Sequence, residues 1–508
     1  MFTIRENSTL GFYYFSGGLP QYECINLAIS KYTSPTASSD FKKHFLALAT
    51  PGAGKTIMAA TLARKLYELG LIDLVLCFSP SSIVSSDFSD ELSTQFKTEF
   101  NGKVGSLGDA FTYQRFGTLD NDTWKLFDRF RVFVIFDEIH HCAGSSNLNA
   151  NAWGAPIIGN IRDKAAFTVS LTGTPWRSDA LPIALSQYCD GQKIQCDYVY
   201  GLKEAIKDKV CRIPQIVAID NDKIVITKTK ERNVYNSFTS LLAAKATSYS
   251  KIVTDNVVTK QVTRRAIIKL DEIRKVNKNA GGLVIASSIE HAQKIRSIMW
   301  SEFGKRGEIV TTNEVKPSLK IKQFRSNSKE WLISVGMVSE GTNIPRLQVC
   351  CNLTNITTEM YFRQIFGRVL RKTGSPNQEA FMFMPAEPKL MNYAERMCQD
   401  IPDDVSKIKT VKMDEPIETE LDDEAIFDDV EMTSSPASAI EDIPIFSPDE
   451  KEFTQIDEEE NKSILDSTWS MGIVGKYRQD SLKVTDLEPF LISEAAKDKL
   501  ADLGRLAV

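Results

Sequence analysis

Short, continuous apolar runs rich in Val, Ile and Phe recur along the chain in two series. The first covers residues 45–49, 74–78, 132–136 and 167–171, and the second covers 283–286, 331–335, 348–353 and 380–384. Stretches with helical spacing of apolar residues separate the runs. A strand that is apolar at every position, rather than at alternate ones, is buried on both faces, as in a parallel sheet covered by helices. The pattern therefore predicts an α/β fold in which a parallel sheet is built twice.

The region between the two series reads differently. Residues 235–278 contain no Pro and no strand-like run, and they predict one or two long helices. Across 251–280, eight basic side chains (Lys251, Lys260, Arg264, Arg265, Lys269, Arg274, Lys275 and Lys278) stand against three acids. That pattern fits either a solvated helix face or a basic arm beside a nucleic-acid track. After residue 400 the strand signal stops. Residues 401–465 are acidic, are punctuated by Ser434-Ser435-Pro436 and Ser447-Pro448, and bury too little apolar surface to offset their ordering entropy. They are expected to be disordered. Residues 486–507 have the pattern of an amphipathic helix, a docking element for a protein partner.

Charge changes the picture once it is divided. The 508 residues carry a net −5. Residues 401–460 hold 21 acidic and 4 basic side chains, net −17, which leaves net +12 on the other 448. A modestly basic body is thus joined to a short, intensely acidic stretch. The acidic stretch is either a solvated linker or a nucleic-acid mimic that occupies a basic cleft until displaced. No apolar run approaches the ~20 residues of a membrane span, and the first eight residues, Met-Phe-Thr-Ile-Arg-Glu-Asn-Ser, lack an apolar signal core. Nine Cys without a CxxC pair and four His without ligand spacing argue against zinc and for buried thiols in a reducing compartment. The expected protein is soluble and cytoplasmic, with no membrane partner.

Two local motifs carry chemistry. Residues 45–56 read Phe-Leu-Ala-Leu-Ala-Thr-Pro-Gly-Ala-Gly-Lys-Thr, a strand, a glycine-rich loop and a helix start. Within the loop Thr50, Pro51, Gly52, Ala53 and Gly54, the glycines let backbone amides curl around phosphate oxygens. Lys55 reaches the β- and γ-phosphates and Thr56 offers a hydroxyl to Mg²⁺. The position usually held by Gly at the start of this pattern is Ala49. Residues 131–140 read Arg-Val-Phe-Val-Ile-Phe-Asp-Glu-Ile-His, which puts two carboxylates at the C-terminal end of a strand, where open α/β sheets bind ligands. Asp137 would hold Mg²⁺, and Glu138 would accept a proton from the attacking water. The expected cofactors are ATP and Mg²⁺.

Taken together, Ala49–Thr56 and Asp137-Glu-Ile-His140 resemble the first two motifs of the superfamily 2 DExH helicases and translocases, in a style similar to DNA-repair and type III restriction subunit helicases. Further motifs follow in the family's order. Ser170-Leu-Thr-Gly-Thr-Pro-Trp-Arg177 resembles the third, Val335-Gly-Met-Val-Ser-Glu-Gly-Thr-Asn-Ile-Pro345 the fifth, and Gln364-Ile-Phe-Gly-Arg-Val-Leu-Arg371 the sixth. Leu19-Pro-Gln-Tyr-Glu23 resembles the adenine-recognising segment. The resemblance runs over roughly residues 10–390.

The resemblance implies two RecA-like lobes, lobe 1 over 1–205 and lobe 2 over 281–400; the pattern along the chain adds a connector and basic helical arm over 206–280, the acidic segment over 401–465 and a C-terminal helical element over 466–508. By the same resemblance, Gln21 reads the adenine, Thr172, Thr174 and His140 couple hydrolysis to lobe movement, and Gln364, Arg368 and Arg371 act from lobe 2. Arg368 and Arg371 would reach the γ-phosphate as the lobes close. Nucleic acid would be gripped by Ser79, Pro80 and Ser81, by Thr112, Tyr113 and Gln114, by Ser287, and by Gly341 and Thr342. One departure is Asn343, where the fifth motif usually has Asp.

Three functions remain open. An ATP-driven helicase or translocase on DNA is favoured by His140 and by Thr-Gly-Thr-Pro-Trp-Arg-Ser-Asp over 172–179. An RNA helicase is the alternative within the class. A nucleotide-gated sensing or interaction subunit of a restriction or defence complex is the alternative outside it, favoured by the acidic segment and the terminal helix. No nuclease constellation accompanies the motifs, since Pro448-Asp449-Glu450-Lys451 lies in the acidic stretch without a flanking strand.

Overall fold

The computed structural model describes residues 20–34, 40–146, 149–177, 179, 181–189, 193–228, 231–311, 317–336, 344–374, 379–400, 469–485 and 487. The acidic segment 401–465, residues Gly341, Thr342 and Asn343, and nearly all of 486–507 lie outside them.

In the first lobe, the apolar runs become β1 (His44–Ala49), β2 (Leu74–Ser79), β4 (Val132–Asp137) and β5 (Phe167–Thr172), with β3 at Gly108–Thr112. Two short strands, β6 (Gln187–Tyr188) and β7 (Ile194–Gln195), pair with each other before β8 (Tyr198–Tyr200). The sheet order is β3-β2-β4-β5-β1-β8, and every pairing is parallel. β1 and β4 are buried at all six positions, which is why their residues read as unbroken apolar runs. β5 lies between them, so the C-terminal ends of β1, β5 and β4 open side by side on one edge of the lobe.

The second lobe is built from β9 (Ile213–Asn221), β12 (Gly281–Ala286), β13 (Gly307–Thr311), β14 (Trp331–Val335), β15 (Leu347–Leu353), β16 (Glu379–Pro385) and β18 (Tyr477–Leu482). Their order is β13-β14-β12-β15-β16-β9-β18, parallel except for β18, which runs antiparallel to β9. A small antiparallel sheet, β11 (Glu231–Tyr235), β10 (Ile224–Lys228) and β17 (Trp469–Ile473), extends from this lobe.

Two sequence expectations are corrected here. Residues 206–280 are not a connector separate from lobe 2. β9 pairs with β16 along seven residues, and the helix Asn256–Val276 buries Val258, Val262, Ala266 and Leu270 in the core of the second lobe. Several of its basic side chains are engaged locally: Lys260 with Glu302 at 2.6 Å, Arg274 with Glu330 at 3.5 Å, and Lys269 with Glu272. The helix is therefore a core element with a charged outer face, not a free arm. The expected helical element at 466–508 also begins with β17 and β18, whose alternation was too weak to read without their partners. Among the described residues no helix is long and apolar enough to cross a membrane.

Candidate active site between the two lobes

β1 runs into a loop whose backbone requires glycine. Gly52 and Gly54 have φ of +88° and +81°, a region that L side chains avoid at a cost of roughly 1–2 kcal/mol. Gly54 is the N-cap of the helix Lys55–Glu68 and offers no side-chain cap, so the first-turn amides of that helix are left for another acceptor. Gln21 lies against this turn, its Nε2 donating to the Ala53 carbonyl at 2.8 Å. Lys55 Nζ donates to the Ala49 carbonyl at 3.2 Å and to Glu138 Oε1 at 3.3 Å.

Asp137 ends β4, and Glu138 follows in the left-handed region, φ +50°. That turn separates the two carboxylates. Asp137 is buried, and its Oδ1 has no hydrogen-bond partner. Burial, with the Glu138 charge beside it, pushes the Asp137 carboxyl well above the usual carboxylate range. Burial also acts to raise Glu138, but Lys55, His140 and Arg368 outweigh it and hold that carboxyl low. The orphaned oxygen of Asp137, with the Thr56 hydroxyl in the first helical turn, is a donor set that fits Mg²⁺. Glu138 Oε2 also accepts from the Gly173 amide at 3.3 Å.

The residues expected to couple hydrolysis to movement lie in one network. His140 Nδ1 is 2.9 Å from Thr172 Oγ1 and 3.5 Å from Glu138 Oε2. Thr172 Oγ1 also accepts from the Thr174 amide at 3.0 Å. Across the cleft, Gln364 Nε2 is 3.4 Å from His140 Nε2. Gln364 and Arg368 lie on the helix Glu359–Leu370 of the second lobe, and Arg371 follows it. The approach is close. A Cβ on Gly367 would lie 2.5 Å from Pro51 Cγ, and a Cβ on Gly52 would lie 3.5 Å from Arg371 Cγ. Burial, and then the charge of Arg368, lowers Arg371 to about 10, still a cation at neutral pH.

The nucleic-acid candidates divide. Tyr113, Ser79 and Pro80 are buried. Tyr113 donates its hydroxyl to the Asp137 carbonyl at 2.8 Å, and Ser79 Oγ pairs with Ser85 Oγ at 2.7 Å. Thr112 is half-buried, and Gln114 is exposed. Ser81 caps the helix Ser82–Phe96, and Ser287 Oγ is 2.9 Å from His291 Nδ1. Two partners were missed from sequence. Arg177 donates to the His140 carbonyl at 2.6 Å and pairs with Asp179 at 2.5 Å. Cys211 Sγ donates to the Pro51 carbonyl at 3.1 Å. The i, i+2 Arg–Asp spacing was a local signal for the first; nothing local marks the second.

Residues 19–177 match the family model of the type III restriction enzyme, res subunit. Uncharacterized protein Rv2917 of Mycobacterium tuberculosis is 27% identical over 372 residues, 69% of this chain and 60% of that protein. ML1624 of Mycobacterium leprae is 28% identical over 369 residues, 70% of this chain and 61% of its own length. The chain thus spans about 60% of these relatives. Among solved structures, an HsdR-subunit fragment of a type I restriction enzyme from Vibrio vulnificus YJ016 is similar at TM-score 0.49 and 17% identity, over 77% of this chain and 69% of that one. Mycobacterium smegmatis helicase Lhr, bound to single-stranded DNA and AMP-PNP, is similar at TM-score 0.47 and 14% identity, over 78% of this chain and 49% of that one. Residues 19–177, the stretch similar to the type III restriction enzyme res subunit, hold the phosphate loop, the Asp137–Glu138 pair and the Thr172–Thr174 turn.

Proposed function

We propose that this chain is a nucleic-acid-stimulated ATPase that works as a helicase or translocase, with DNA as its track. The observation that supports this most is the placement of one site across two lobes: Gln364 and Arg371 of lobe 2 lie against His140 and the Gly52 turn of lobe 1. A single-lobe nucleotide switch would not need them there. DNA is favoured over RNA by the res-subunit match and by the motif style at His140 and residues 172–179.

ATP with Mg²⁺ supplies the phosphoryl group and the charge that screens it. The chain's own groups do the rest. Lys55 exchanges the Ala49 carbonyl and Glu138 for phosphate oxygens, which frees Glu138 to accept a proton. Asp137 and Thr56 hold the cation, and Gln21 meets the adenine. Arg368 and Arg371 stabilise charge on the transferred group only when the lobes are together. The His140–Gln364 contact ties that geometry to the position of the lobes, so turnover is linked to movement.

Phosphate release measured with single-stranded, duplex and forked DNA and with RNA tests the reading. Stimulation greatest with DNA and lost in Lys55→Ala is expected. No hydrolysis by the wild type, or full hydrolysis by Lys55→Ala, rejects it. A chain that binds DNA and ATP but never displaces a strand or moves along its track is a sensor and not a motor.

A further inference from the structure

Where the chain crosses from lobe 1 to lobe 2, after the helix Leu202–Lys207, it places Cys211 and Arg212 between the phosphate loop and the arginine-bearing helix. Arg212 is fully buried, and its side chain hydrogen-bonds to no carboxylate among the described residues. Its guanidinium is spent on main-chain oxygens instead. Nη1 donates to the Leu347 carbonyl at 2.8 Å and to the Val369 carbonyl at 3.0 Å, and both terminal nitrogens lie 3.4–3.5 Å from the Pro345 carbonyl. Nη2 also lies 3.4 Å from Thr373 Oγ1. The Arg212 amide donates to the Leu370 carbonyl at 2.7 Å.

These acceptors belong to two places. Val369 and Leu370 end the helix Glu359–Leu370, where unpaired carbonyls and the negative end of the helix dipole favour a cation. Pro345 ends the fifth motif, and Leu347 begins β15. Cys211 and Arg371 face each other in an isolated antiparallel bridge, and the Cys211 thiol holds the Pro51 carbonyl on the other side. The backbone of Arg371 is therefore fixed by the crossing segment itself.

We propose that Arg212 is a positioning residue for hydrolysis: by capping the helix end at Val369 and Leu370 it sets the direction in which Arg371 leaves that helix toward the phosphate loop. This rests on the ATPase reading above. A buried cation without a counter-ion is costly. Burial lowers the Arg212 guanidinium to about 10, so it stays charged at neutral pH. An apolar side chain would fill the same space without that cost, so packing alone does not account for an Arg here. Its partners, the ends of two functional motifs, do account for it.

The test compares Arg212→Gln, Arg212→Lys, Arg371→Ala and the double variant Arg212→Gln/Arg371→Ala, in the full chain. Steady-state ATPase gives kcat and KM, fluorescent-nucleotide titration gives binding, and thermal melting reports folding. Misplacing a reacting group by an ångström costs about 100-fold. Arg212→Gln is expected to lower kcat about 10- to 100-fold with nucleotide binding changed less than about threefold, and the double variant to be no slower than Arg371→Ala alone. Arg212→Lys, which keeps a cation with fewer geometric options, should fall between wild type and Arg212→Gln. An unchanged kcat overturns the proposal, as does an Arg212→Gln defect that multiplies fully with that of Arg371→Ala. If Arg212→Gln does not fold, Arg212→Lys with wild-type kcat overturns it equally. A wild-type chain without ATPase activity rejects the functional reading itself, a result separate from any behaviour of the variants.

Discussion

The two lobes present the same junction, a buried parallel strand followed by a helix, and finish it in opposite ways. In lobe 1, β1 leads through Gly52 and Gly54 into the helix Lys55–Glu68, whose N-terminus has no side-chain cap. In lobe 2, β12 leads through Ser287 and Ser288 into the helix Ile289–Phe303, where Ser288 accepts from the His291 amide at 3.1 Å. The capped helix has met its own need for an acceptor. The open one has not, and its first-turn amides are available to an anion. On the proposed reading, lobe 1 takes the nucleotide at this open helix end, and the second lobe contributes from across the cleft, through Arg368 and Arg371.

The largest test of this division removes what lobe 2 contributes. Arg368→Ala should lower kcat about 1000-fold or more while nucleotide binding, a property of lobe 1, holds within a few-fold; single-turnover hydrolysis with a binding titration decides it, and retained turnover would return catalysis to lobe 1 alone. Next, Gly54→Ser gives lobe 1 the cap of lobe 2. At φ +81°, and with a Cβ 2.9 Å from Gln21 Nε2, the cost of roughly 1–2 kcal/mol should weaken nucleotide binding about tenfold. Wild-type affinity would mean that the open helix end is not the binding feature.

A third test treats the lobes as equals. Burial, with Lys43 nearby, lowers His44 in lobe 1 to about 3, and burial with Lys294 lowers His291 in lobe 2 to about 4, from 6.5. Both folded values are depressed, so below pH 6.5 the unfolded chain binds protons that the folded chain refuses. Stability present above that pH is lost as it falls, by at most about 1.4 kcal/mol per pH unit for each His. Melting between pH 7.5 and 5.5 should show this, and the slope should flatten in His44→Gln. The smallest effect is Ser288→Ala, which should cost about 1 kcal/mol of stability and leave ATPase unchanged. A loss of ATPase there would mean that the two helix ends are not separate in function.

What was legible in the sequence follows the same physics. The eight apolar runs became β2-β4-β5-β1 and β14-β12-β15-β16, in each sheet a contiguous block of strands. The other strands of these two sheets, β3, β8, β13, β9 and β18, escaped notice and flank those blocks. Edge strands are covered less fully, and β9 is interrupted by Pro214, Gln215 and Asp220. The phosphate loop and the Asp137–Glu138 pair were readable because their chemistry is local. The burial of Tyr113, Ser79 and Pro80 was not readable, because position after a strand does not tell which way a side chain turns. Arg212 was invisible because its partners lie more than 130 residues away.

The fit of Gly367 against Pro51 has a mechanical consequence. With no room there for a methyl group, the lobes meet as hard surfaces with little slack, and dense packing does not stretch. Any opening of the cleft would break that seat at once rather than loosen it by degrees. If the chain is the motor proposed above, it would then switch between two settings, like a latch, and its stroke would come in whole units.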